Sequence, residues 1–449
     1  METPRMDWTR LLSSERLGDP SYVPQAGRSL FVQDYDRIVF SAPFRRLANK
    51  TQVEPLYQHD HVHHRLIHSI EVGSVGRSMA TRIGHALVQN GDLNPGDEHT
   101  IANIVQAACV AHDIGNPPFG HSGEDAMGNW FAERLEDPHG IFGDIDPALA
   151  PEFTAFEGNA QGFRILTRLE MYRNEGGMRL SKATLGAFTK YPVTAPAKTQ
   201  LDAAGNRYIG RKKFGLFASD AALFAEAATT LGLPEGEIAQ SWRRHPLVFI
   251  VEAADDICYN IVDLEDAFTT GELSYGSVRT LLEELCGKDE RPLGDKTPAE
   301  HIAILRARGI GVAIDACVEA FLTHYDAIMA GSFSTSLIAA GSSGEVFGRI
   351  GTLARDSIFT AQRKIELEVS GRRVIENVMT GILPVYEDLA RKKWQRDALG
   401  KRADHLVRAL NLDLRAVASP YEALHALADF TSGMTDRYAL RISRMLSGT

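Results

Sequence analysis

The stretch Ala111-His112-Asp113-Ile114-Gly115-Asn116-Pro117-Pro118-Phe119-Gly120-His121-Ser122-Gly123-Glu124 constrains the fold most. Upstream of it, Ile101, Ile104, Val105, Ala108 and Cys109 recur at helical spacing, and His112 continues their stripe. A helix with a buried face therefore runs in and carries His112 inward. Pro117-Pro118 end it, and Ser122, with Asp125 three residues on, reads as the N-cap of an outgoing helix reaching about Leu135. A buried histidine beside an aspartate needs partners. Either a metal ion or ordinary hydrogen bonds would meet that need. His121 and Glu124, just past the turn, have the chemistry of an acid/base and its orienting partner.

Helical periodicity recurs along most of the chain. Helices are expected over about 36–47, over 65–89 with Asn90-Gly91 as the stop, over 156–173, and from Pro246 through Phe268. The last carries an inward stripe of Val248, Val251, Glu252, Asp255, Tyr259, Val262 and Asp263, whose acids are costly to bury without partners. From 273 to the end the pattern is again helical, broken once at Ala340-Gly341-Ser342-Ser343-Gly344. Residues 1–35 read as an irregular arm and 137–152 as a surface loop. Residues 190–215 read as one β-hairpin turning at Ala204-Gly205-Asn206, or as a loop. Their cations, among them Lys190, Lys212 and Lys213, interleave with Tyr191, Tyr208 and Phe214 and suit either solvent or phosphate. Strand signals are few, so the fold class is mostly α, with one short hairpin at most.

The net charge of −10 provides no general basic footprint for nucleic acid. The four cysteines, Cys109, Cys258, Cys286 and Cys317, form no CxxC pair and read as reduced thiols of a cytoplasmic protein. No apolar run is long enough for a membrane span, and Met1–Arg16 lacks the apolar core of a signal peptide.

Three helices offer inward polar groups. His68 shares a face with Val72, Val75 and Met79, and Arg65 lies three residues before it. His112-Asp113 is the second group, and Asp255, with Tyr259 one turn later, is the third. Two imidazoles and two carboxylates form a mixed N/O set. It suits one divalent ion (Mn, Mg, Co, Ni, Fe or Zn, with Mn or Mg favoured) rather than a closed structural zinc site.

His68, His112-Asp113 and Asp255, in this order, resemble the signature of the HD phosphohydrolase superfamily. Five stretches sharpen the match: Arg65-Leu66-Ile67-His68-Ser69, His112 through His121, Phe156-Glu157-Gly158-Asn159-Ala160-Gln161, Glu252 through Tyr259, and Gly433-Met434-Thr435-Asp436. With these the chain resembles the bacterial deoxyguanosine triphosphate triphosphohydrolases from about residue 28 to its end. The resemblance implies an HD-type helical core over 36–272, preceded by the 1–35 arm. A helical region over 273–449 would pack on that core and complete the pocket. It also implies hydrolysis of a dNTP to deoxynucleoside and inorganic triphosphate. By the same resemblance His68, His112, Asp113 and Asp255 are the metal ligands, and His121 and Glu124 the catalytic pair. Gln52, Arg65, Lys190, Tyr191, Tyr259 and Asp263 are its substrate contacts, with Glu366 or Glu368 and Arg437 as further candidates. It further implies a homo-oligomer, a hexamer or tetramer, and an effector that is a dNTP or single-stranded DNA. Two other readings stand beside it: an HD phosphohydrolase acting on nucleoside monophosphates, and a non-catalytic nucleotide- or single-stranded-DNA-binding module.

Overall fold

The computed structural model describes residues 5–50, 64–288, 296–358 and 362–448. It is 66% helical with no sheet among the described residues. Apolar side chains gather into two clusters. The first is built on the helices Leu30–Val39, Arg65–Asn90, Asp97–Ala111, Val248–Thr270 and Pro298–Thr323. The second is built on Gly120–Leu135, Gln362–Arg391, Pro420–Ser432 and Asp436–Ser447, together with Tyr191, Val193, Phe214 and Phe217. The polar turn passes from one cluster to the other, with Ile114 in the first and Phe119 in the second. Each wholly buried Leu, Ile or Phe adds roughly 1.5–3 kcal/mol of burial, so the turn is held from both sides.

The Arg65–Asn90 helix starts at His64 and stops at Gly91, which has φ +80°. Asp97–Ala111 packs against it, every residue from Ala107 to Ala111 being buried. Gly115 is where the turn crosses the Gly158–Arg164 helix. A Cβ there would strike the Gly158 carbonyl and the Gly162 amide, so only glycine permits that approach.

Several expectations need correction. The first helix of the core begins at Leu30, not Asp36, and breaks at Phe40, where Ser41 caps a second short helix, Ala42–Arg46. The described part of the arm, from residue 5, is docked: Met6, Trp8, Leu11 and Leu17 are buried. Arg16 donates to Asp34 at 2.7 Å, with both side chains fully enclosed. The helix expected over 156–173 runs only from Gly158 to Arg164, then widens into a π-type turn, Ile165–Leu169. In place of a hairpin, residues 190–215 contain the helix Ala195–Ala203. The Thr194 hydroxyl accepts from the Ala197 amide and Pro196 sits in its first turn, two start signals that outweigh the turn signal of Gly205. Ser122 is not an N-cap, because the helix already begins at Gly120, with Phe119 in the left-handed region at φ 64°. Residues 273–354 pack into the first apolar cluster with the helices of 65–111.

Candidate functional site

Four side chains from three helices converge below the turn. His68 Nε2 lies 3.1 Å from Asp255 Oδ1. His112 Nε2 lies 3.4 Å from that same oxygen and 3.4 Å from Asp113 Oδ1. The imidazole centroids are 5.2 Å apart. His112 Nδ1 is 2.7 Å from the Cys109 carbonyl, which can only accept, so Nδ1 carries a proton and Nε2 faces the carboxylates. That Nε2 is buried and makes no hydrogen bond among the described residues. An imidazole lone pair aimed at two anionic oxygens is repulsive unless a cation or a proton lies between them. Burial lowers the His112 pKa, but Asp113 and Asp255 outweigh it and raise it to about 9. Asp255 resists burial in the same way and is held well below the usual carboxylate range by His112 and His68. The ligand atoms of His68, His112 and Asp113 all lie within 4.8 Å of one another. The donor set therefore fits a divalent ion, which would take the place of the proton.

Asp113 is also tied on its outer side. Arg65 Nη1 donates to its Oδ2 at 2.7 Å and Asn116 Nδ2 to its Oδ1 at 2.5 Å. Burial pushes this carboxyl up, and Arg65 with the two histidines brings it down to about 2. Orientation of the carboxylate is thus fixed from outside the ligand cluster.

Beyond the turn, His121 Nδ1 lies 2.7 Å from Glu124 Oε2, and the Gly158 amide donates to Glu124 Oε1 at 2.8 Å. The Glu124 side chain is 9% exposed and that of His121 is 83% exposed. The hydrogen bond to Glu124 raises the His121 pKa more than burial lowers it. Glu124 is lowered: burial raises it, but the bond and charge of His121 prevail. A buried carboxylate thus favours the protonated form of an exposed imidazole, the arrangement of a general acid. Phe119 launches this helix from a left-handed conformation that costs a non-glycine residue about 1–2 kcal/mol.

The turn, the first residues of its outgoing helix, the 188–213 segment and the Val248–Thr270 helix enclose a cleft of about 610 Å³. Arg65, His112, Asp113, His121, Glu124, Lys190, Tyr191, Asp255 and Tyr259 line it, as does Glu368. His68 is 3% exposed and supports the cluster from below the cleft surface. Asp263 is buried and is not part of the lining. Arg437 lies elsewhere, in a hollow with Arg441 and Arg444. Glu366 does not line the cleft, and Gln52 lies outside the described residues.

Lys212, Lys213, Asn159, Glu252 and Asp256 also line the cleft, though they were not singled out as site residues. Their signals were the Arg211-Lys212-Lys213 run and the acids of the Val248–Thr270 stripe. Most of these cations already have a carboxylate partner. Lys190 Nζ lies 3.4 Å from Glu252 Oε1, and Arg244 donates to Glu252 Oε2 at 2.8 Å. Lys213 Nζ lies 2.7 Å from Glu157 Oε1. Burial lowers the Lys190 pKa, and Glu252 more than reverses it. Burial raises the Tyr259 phenol, and Asp263 and Asp255 raise it further, so it stays neutral.

A family profile described as HD domain matches residues 65–147. The chain is 39% identical to a deoxyguanosinetriphosphate triphosphohydrolase-like protein of Pseudomonas aeruginosa, over 99% of both chains. It is 37% identical to a protein of the same description from Synechocystis, over 99% of both. It is 28% identical to a deoxyguanosinetriphosphate triphosphohydrolase of Yersinia pestis, over 91% of this chain and 92% of that one. No helix among the described residues is long and apolar enough to cross a membrane. Sequence, fold and the His/Asp cluster agree: the chain belongs to the deoxyguanosinetriphosphate triphosphohydrolase family of the HD superfamily, a family of nucleotide phosphohydrolases.

Proposed function

We propose that the chain is a metal-dependent dNTP triphosphohydrolase that releases deoxynucleoside and inorganic triphosphate. The observation that carries this reading is that the His121–Glu124 pair shares one cleft with the His/Asp cluster and with Arg65, Lys190, Lys212 and Lys213.

A divalent ion held by His68, His112, Asp113 and Asp255 would supply Lewis acidity and charge neutralisation. Arg65, fixed on Asp113, and Lys190 and Lys213, from the facing segment, bind and orient the polyphosphate. Water adds to the α-phosphorus and the bond to the 5′-oxygen breaks. Protonated His121 donates its proton to that departing oxygen, and Glu124 stabilises the cation beforehand and orients the ring. Tyr259 stands one helical turn beyond Asp255 and faces the cleft, where it contacts the sugar. Gln52 is assigned to the 3′-hydroxyl, whereas Asp263, which does not line the cleft, is assigned no substrate contact. The same reading assigns Mn or Mg as the native ion and a hexamer or tetramer as the assembly. It places the enzyme in the cytoplasm, with a dNTP or single-stranded DNA as effector.

The test is product analysis with each of the four dNTPs, with Mn, with Mg and with neither. Intact triphosphate and deoxynucleoside, formed only with metal, are expected. Release of orthophosphate, pyrophosphate or a monophosphate from every substrate would reject the reading.

A further inference from the structure

The Gly433-Met434-Thr435-Asp436 stretch has no role in the chemistry above, and its residues do not line the cleft. It forms the junction between the helices Pro420–Ser432 and Asp436–Ser447. That junction reaches the catalytic pair by three routes. Asp436, 1% exposed, accepts the Phe119 amide on Oδ1 at 3.0 Å, from 317 residues away. Phe119 is the N-cap of the helix that carries His121, and that helix has no side-chain cap of its own. Lys50, 3% exposed, donates from Nζ to the Asn116 carbonyl at 2.5 Å and to the Ser432 carbonyl at 2.8 Å. Asp429 accepts Gln161 Nε2 at 2.9 Å and both Arg164 Nε and Nη2, at 2.9 and 3.0 Å. Gln161 and Arg164 belong to the short helix whose first amide, that of Gly158, holds Glu124.

We infer that the Asp429–Asp436 junction is a positioning element that sets the His121–Glu124 pair in register: Asp436 and Lys50 fix the turn that carries His121, and Asp429 fixes the helix that anchors Glu124. The inference rests on the proposed function for its kinetic readout only.

The physical case begins with Phe119. Its positive φ persists only where the surroundings over-determine it. Its amide is held by Asp436, and its ring lies against the Gln362–Arg391 helix at Gly371. A Cβ on that glycine would come 2.8 Å from Phe119 Cγ, so the ring occupies the space a side chain would take. With the amide released, the turn relaxes toward an ordinary φ and the first helical turn rotates. His121 then moves relative to Glu124, which stays anchored through Gly158. Lys50 secures the same turn from its other end, at Asn116, next to the Asn116–Asp113 hydrogen bond. Asp436, Lys50 and Asp429 touch no substrate in this scheme. They act through Phe119, Asn116 and Gly158.

The experiment compares wild type with Asp436→Ala, Asp436→Asn and Gly371→Ala, measuring kcat and KM for a dNTP, bound metal per chain, and the His121 pKa by imidazole NMR. A small misplacement of reacting groups costs up to about 100-fold. Asp436→Ala is therefore expected to lower kcat by roughly 10- to 100-fold, with KM and metal content near wild type. Its His121 pKa should fall toward the ordinary histidine value as the Glu124 bond loosens. Asp436→Asn keeps an acceptor for the Phe119 amide and should recover most of kcat. Gly371→Ala, which crowds the same ring, should show the same kcat loss and pKa drop, and it serves if Asp436→Ala does not fold. Wild-type kcat and His121 pKa in these variants would overturn the inference. So would a kcat loss that tracks metal loss and is equal in Asn and Ala. If wild type hydrolyses no dNTP, the proposed function fails alone, because the NMR shift still decides the positioning role.

Discussion

The two ends of the cleft are built on opposite principles. At the ligand end, His68, His112, Asp113 and Asp255 come from helices and a helix end packed within one apolar cluster, and their donor atoms converge. At the phosphate end, Lys190 and Lys213 come from an irregular segment, and each already rests on a carboxylate. A divalent ion at the first end would need every one of these donors at once and would take the place of the His112 proton. The second is compensated, so a polyphosphate arriving there exchanges one anionic partner for another. A change at the ligand end should therefore act close to all-or-none, and a change at the phosphate end gradually.

Asp255→Ala is the most severe break. It removes the oxygen shared by His68 and His112, and bound metal and activity should both fall to background. Circular dichroism should remain near wild type, since the Val248–Thr270 helix keeps its apolar face. Full metal occupancy in this variant would refute the ligand assignment. Lys213→Ala sharpens the contrast: it should raise KM several-fold and leave metal content unchanged. If metal is lost here too, the two ends are not separable.

His121→Ala comes next. General acid assistance is typically worth about 10²–10⁴-fold, and turnover should fall by that order with metal and nucleotide binding retained. The pH dependence follows from the same bond. His121 acts protonated, so activity should decline as pH rises through its raised pKa. Glu124→Gln removes the main cause of the elevation and should move that decline to lower pH. A descending limb at the same pH in both proteins would remove His121 as the titrating acid.

The same contrast explains what the sequence made legible. The helices of the ligand end were readable because their apolar stripes are unbroken. The expected stop at Asn90-Gly91 is where the Arg65–Asn90 helix ends, and the helix expected from Pro246 runs from Val248 to Thr270. His68, His112 and Asp255 stood on those stripes. The phosphate end has no period to read. Lys213 was visible only as one member of a basic run, and its approach to Glu157 depends on how 156–158 meets 213 in space. The N-cap of the catalytic helix was misassigned to Ser122 because its actual support, Asp436, is 317 residues distant. The arm reads as irregular from Gly18, Pro20, Pro24 and Gly27, yet Met6, Trp8, Leu11 and Leu17 within it are buried against the core.

Tyr259 lies between the two ends. It lines the cleft one turn beyond Asp255, and its phenol is kept neutral by burial and by Asp263 and Asp255. A sugar joined to the α-phosphate through one ester oxygen would meet this ring. A ribose 2′-hydroxyl pressed against it would lose water with no new acceptor, a cost of roughly 1–3 kcal/mol. By the same scale, wild type should prefer dGTP over GTP in kcat/KM by at least about 5- to 150-fold. Tyr259→Ala opens room for the 2′-hydroxyl and a water, so the ratio should shrink, mostly through improved use of GTP. Tyr259→Phe removes only the phenol oxygen and should keep most of the preference, because the ring does the excluding. If the alanine variant discriminates as well as wild type, neither the ring nor the phenol of Tyr259 is the excluding group; if phenylalanine loses the preference, the phenol is. The neighbouring Asp263 would then be the partner to examine.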